Sequence, residues 1–108
     1  FFFLSSILLS SFPPSPLSAQ DKKAVEYYNK AVEQLAQRRT VEALDLLHRA
    51  IERDASYTEA YLKLGQTYEF SRQPDQAFQV YERVIQQKPD QPATGQAYQF
   101  VTATLLRK

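Results

Sequence analysis

Apolar residues are arranged in two unlike ways along the chain. The run FFFLSSILLSSF at residues 1–12 is apolar with serines and carries no charge. The segment PPSP follows, and no charged residue appears before Asp21. From Asp21 onward the apolar positions recur at helical spacing and are interrupted only by short breaks. The first helix is expected from Asp21 to about Arg38, with Asp21 as its cap, alone or in a capping box with Ser18. Thr40 is expected to cap a second helix ending near Arg53. Ser56 and Glu59 have capping-box spacing for a third. Pro74 suits the first position of a fourth, where its missing N–H goes unmissed, and Lys88-Pro89-Asp90 ends that helix. A fifth begins near Pro92 and runs to the end. Connections this short force antiparallel neighbours.

The stretch YLKLGQTY, Tyr61 to Tyr68, places a glycine inside the third helix. Glycine there costs about 1 kcal/mol against alanine. Since Tyr68 continues the apolar spacing beyond Gly65, the helix does not stop there. A close approach to the paired helix, near Ala77, is expected to compensate.

Shifting the chain by 34 residues aligns it with itself. Tyr27 falls on Tyr61, Arg38 on Arg72, Ala43 on Ala77, Arg49 on Arg83 and Ile51 on Ile85. Ala31 falls on Gly65 and Leu47 on Tyr81, and the helix breaks coincide. A period of this length marks stacked helix pairs. The sites Tyr61, Leu64, Gly65, Tyr68, Ala77, Tyr81 and Pro89 resemble the tetratricopeptide repeat. The resemblance is closest over 58–91. It is weaker over 24–57, where Lys30 and Gln34 replace Leu64 and Tyr68, and Ala55 replaces Pro89. Residues 92–108 match only a first helix, with Gly95 and Gln99 off the pattern. The expected fold is all-α: an α-solenoid of two tetratricopeptide repeats, 24–57 and 58–91, and a C-terminal capping helix, 92–108, within a domain spanning 20–108.

Composition narrows the function. The 108 residues suffice for one modest core, and 44% are apolar. Lys and Arg number 13 against 12 Asp and Glu, so the chain lacks the basic stripe of a nucleic-acid binder. It has no cysteine and one histidine, His48, which reads as a solvated surface residue. There is no glycine-rich phosphate loop. The carboxylates are spread along helices among basic neighbours. No enzyme and no cofactor are therefore expected. Residues 1–19 read as a secretory signal lacking its start, ending in Ala19 and implying export. A membrane anchor missing its start and an apolar tail are the alternatives. The apolar run is shorter than the ~20 residues of a full span.

What the resemblance implies is a protein-interaction module. In such arrays the first helix of each repeat lines a concave groove that takes a partner protein or an extended peptide. Carried onto this chain, the groove comprises Tyr28, Asn29, Val32, Leu62, Lys63, Gln66 and Phe100, with Val25, Ala36, Glu59, Phe70, Ala93, Gln96, Ala97 and Thr104 around them. The family's chaperone-tail clamp of Lys, Asn and Arg is not implied, because Tyr28, Val32, Ala93 and Ala97 stand where it needs polar or basic groups. The alternatives are a fragment of a longer scaffold, or a module that self-associates through Tyr98, Val101, Leu105 and Leu106. Membrane association enters only if the N-terminal segment is retained.

Overall fold

The computed structural model describes residues 21–87 and 91–107. The signal expected at 1–19, the Ser18 contribution to a capping box and the Lys88–Asp90 break lie outside them. Among the described residues the chain forms five α-helices and no strand. These are α1 (Lys22–Ala36), α2 (Thr40–Arg53), α3 (Thr58–Phe70), α4 (Pro74–Gln87) and α5 (Gly95–Arg107), the last preceded by a 3₁₀ turn at Pro92–Thr94. No described helix is long and apolar enough to cross a membrane.

Local chemistry sets the ends. Asp21 caps α1, its Oδ1 accepting from the backbone N–H of Lys23 at 2.8 Å and of Ala24 at 3.1 Å. Thr40 is not the cap of α2. The connection is three residues long, Gln37 to Arg39; Thr40 is already helical, and Arg39 at the cap position makes no side-chain cap. Ser56 does not cap α3 either. Asp54 captures it instead, accepting from Ser56 N at 3.0 Å and Ser56 Oγ at 2.6 Å, and α3 starts two residues later. The other Asp54 oxygen accepts from Asp21 N at 3.3 Å, while Arg53 pairs with Asp21 at 3.2 Å. The start of α1 is thus tied to the turn that leaves α2.

The 34-residue period appears in the backbone itself. Arg38 and Arg72 both take left-handed conformations, with φ of 61° and 60°. Beside each, the same bonds recur. Arg39 N donates to Gln34 O and Gln73 N to Tyr68 O, both at 2.8 Å, and Arg38 N and Arg72 N reach back to Leu35 O and Glu69 O at 3.0 Å. Each is a helix-closing turn in which residues beyond the helix satisfy its last carbonyls.

Small residues let the helices pack closely. Ala24, Ala31, Ala43, Ala50, Ala60, Ala77 and Ala97 are all fully buried. Ala31, Leu47 and Leu64 form one apolar cluster, and Tyr61, Ala77, Tyr81, Val84 and Ala97 another. The helix runs through Gly65, as its spacing requires. Its close neighbour on α4 is Tyr81 rather than Ala77. A β-carbon at Gly65 would lie 2.4 Å from Tyr81 Cε1 and 2.6 Å from Cζ. The ring has little room to retreat. It is fully buried, packs against Phe100 with centroids 5.0 Å apart, and its hydroxyl donates to Glu69 Oε2 at 2.5 Å. One repeat earlier the equivalent residues are Ala31 and Leu47. A smaller partner side chain accompanies a residue that has a β-carbon.

That trade predicts a coupling. Gly65→Ala should destabilise by about 1–3 kcal/mol through overpacking. In Tyr81→Leu the same change should cost measurably less, by about 0.5 kcal/mol or more of interaction energy. Urea unfolding of the four proteins in the cycle gives the answer, and strictly additive effects would mean the two positions do not meet. The Asp54 ties predict a pH dependence. Hydrogen bonds from Ser56 hold its carboxyl below the usual carboxylate range, against an opposing effect of burial. A carboxyl with a depressed folded pKa adds stability above its unfolded pKa of about 3.9 and loses it as pH falls through the folded value. Asp54→Asn should therefore lower the melting temperature at pH 6 and bring the two proteins together at pH 2. A constant difference between them would contradict this.

Candidate functional site

The first helices of the repeats, α1 and α3, together with α5, carry the residues expected to line the groove. Asn29 is exposed, and Val32 keeps 40% of its surface exposed. Tyr28 is half-buried, its ring tilted against Tyr57 with centroids 5.3 Å apart. Burial and then the charge of Glu59 push its phenol above the usual range. Leu62 is half-buried against the Tyr61–Tyr81 cluster. Gln66 donates from Nε2 to Gln96 Oε1 at 3.0 Å and so bridges α3 and α5. Phe100 is half-buried on Tyr81. Ala97, placed in the groove by the repeat pattern, is the fully buried residue of α5 and has no surface to offer. It belongs to the core because α5 needs a small residue where it meets α4.

Two clefts lie between successive repeats. The first, of about 560 Å³, is lined by Leu35, Ala36, Arg38, Thr40, Lys63, Gln66, Thr67 and Phe70. It unites Lys63 and Gln66 from the expected groove and adds Arg38, from the turn after α1, which sequence reasoning did not single out. The alignment of Arg38 with Arg72 was visible. That both hold left-handed backbone, bringing the residue to a cleft wall, was not. Phe70 stands at this cleft with 87% of its surface exposed. The second cleft, also about 560 Å³, is lined by Glu69, Arg72, Pro74, Asp75, Phe100, Thr104 and Arg107. Arg38 and Arg72, Thr40 and Pro74, Gln66 and Phe100, Phe70 and Thr104 are each 34 residues apart. The clefts are therefore equivalent places in the repeat with different chemistry. The expected strip is divided between them, with Lys63 and Gln66 in the first, Phe100 in the second, and Tyr28, Asn29, Val32 and Leu62 in neither.

On the other side, His48 is exposed but engaged. Its Nε2 lies 2.9 Å from Tyr68 Oη, across the two repeats, and the rings meet edge-on at 6.2 Å. It is a link between repeats rather than the simply solvated residue the sequence suggested. The spacing of His48 and Tyr68 carries no signal of this, since only stacking of the repeats brings them together. Among the described residues, no three His, Cys, Asp or Glu side chains gather closely enough to hold a metal ion.

Comparison with known proteins agrees with this architecture. A family model described as "Tetratricopeptide repeat" matches residues 34–98. Two of the solved structures similar to it are the following. The crystal structure of MamA protein superposes with a TM-score of 0.63 and 28% identity, over 79% of this chain and 50% of that one. A second crystal structure of MamA gives 0.62 and 27%, over 79% and 58%. The chain thus spans between half and three-fifths of the structures it resembles. No curated protein matches it.

Proposed function

The chain belongs to the tetratricopeptide repeat family, and from that we propose that it is a non-catalytic interaction module that holds a protein segment along the face of α1 and α3. The strip carrying Tyr28, Asn29, Val32, Leu62, Lys63, Gln66 and Phe100 supplies the contacts. The observation that carries this is the pair of inter-repeat clefts, the first of them beside exposed Phe70, surfaces that packing leaves uncovered. Apolar groups give affinity, and Asn29, Lys63 and Gln66 offer hydrogen bonds to a peptide. Substituting Asn29, Val32 and Lys63 together by alanine should reduce capture of the natural partner about tenfold or more, without changing the melting temperature. Glu82→Ala, on the exposed surface of α4, should leave capture intact. Loss with Glu82→Ala and retention with the triple variant would move the partner to the opposite side.

A second reading, self-association, is favoured by α5. Tyr98, Leu105 and Leu106 are 41%, 56% and 82% exposed there, and the only charge in that helix is Arg107. If α5 joins two copies, sedimentation equilibrium should show a concentration-dependent dimer that Leu105→Glu abolishes. A monomer at every concentration would exclude it.

A further inference from the structure

The first inter-repeat cleft differs from the second in charge. Arg38 and Lys63 line it, and no carboxylate does. In the second cleft Arg72 and Arg107 face Glu69 and Asp75, so the charges balance within the protein. The first cleft also combines its two cations with Leu35, Ala36 and the exposed ring of Phe70. The backbone brings an arginine to the wall of each cleft, since positions 38 and 72 share the left-handed conformation. At φ 61°, position 38 is one that glycine occupies freely and that disfavours a side chain with a β-carbon. An arginine stands there nonetheless, at the wall of a cleft that holds no opposing charge.

We propose that this cleft seats an acidic stretch of the partner protein, with a carboxylate facing Arg38 and Lys63 and an adjacent apolar side chain against Leu35, Ala36 and Phe70. This rests on the reading of the chain as a peptide-binding repeat and adds the chemistry of the peptide. It differs from a clamp built on the strip, because Arg38 belongs to the turn after α1. A nucleic acid would also bring negative charge. It needs a basic stripe tracking a backbone, and two cations on one largely apolar cleft do not make one.

The test is a titration of the full chain, ¹⁵N-labelled, with the peptide Ac-Glu-Leu-Phe-Glu-amide, its Gln counterpart Ac-Gln-Leu-Phe-Gln-amide, and a ten-nucleotide oligo-dT. The Glu peptide should shift the amides of Arg38, Lys63 and Phe70, and bind about threefold or more tightly than the Gln peptide. Arg38→Gly and Lys63→Gln should each weaken it about three- to fivefold, the range of a single exposed charge contact. Arg38→Gly removes the charge while placing the preferred residue in the left-handed turn, so its effect is not one of unfolding. Arg72→Gly, the same change in the balanced cleft, should leave binding unaltered. Equal binding of the Glu and Gln peptides, or preferential shifts with oligo-dT, would overturn the acidic seat. Shifts confined to Asn29 and Val32 would overturn it while leaving the strip intact. If no peptide moves either set and capture ignores the triple alanine variant, both proposals fall.

Discussion

The distance at which paired helices cross governs this molecule. Where α3 meets α4 a tyrosine ring occupies the space a β-carbon would take at Gly65, and one repeat earlier Leu47 leaves room for Ala31. Each crossing is filled by one large and one small residue, and the division shifts between repeats while total bulk stays similar. This is the volume constraint of a close-packed interior. It explains why a helix tolerates glycine at a cost of about 1 kcal/mol. Tyr81 then extends the constraint outward, because the same ring supports Phe100 on α5 and binds Glu69.

Polar groups decide where the helices begin and how the repeats are joined. Asp54 is bonded both to the turn before α3 and to the backbone entering α1, so one carboxylate fixes the relation between two connections. His48 and Tyr68 make a comparable link from α2 to α3. The Asp54–Asp21 and His48–Tyr68 contacts join residues 33 and 20 positions apart in the chain. They orient elements that apolar packing alone allows to slide, because hydrogen bonds are directional and burial is not.

The repeat places two clefts at equivalent positions, and side-chain choice makes them unlike. Arg38 and Arg72 occupy the same unusual backbone state, but their surroundings differ: one meets lysine and apolar groups, the other two carboxylates. A periodic scaffold separates geometry from chemistry in this way. The stacking sets where a ligand fits, and substitutions that leave the core untouched set which ligand it is.

The five helices, their antiparallel order and the 34-residue period followed from the sequence, because helical spacing and helix-breaking residues act locally and need no knowledge of distant contacts. Pro74 at the start of α4 and Asp21 as a cap are of that kind. So was the need for a close approach at Gly65. Its partner was not legible: Ala77 and Tyr81 lie one helical turn apart on α4, and only the crossing of two helices decides which side chain reaches the glycine. The caps assigned to Thr40 and Ser56 failed for a related reason. Their local propensity lost to a tight helix-closing turn in one case and to the Asp54 carboxylate in the other. For the site, the sequence named Lys63 and Gln66. Bringing them together with Arg38 and Phe70 in one cleft, and withdrawing Ala97 into the core, was decided by the stacking of one repeat on the next, since burial and juxtaposition are properties of the packed helices and not of any segment alone.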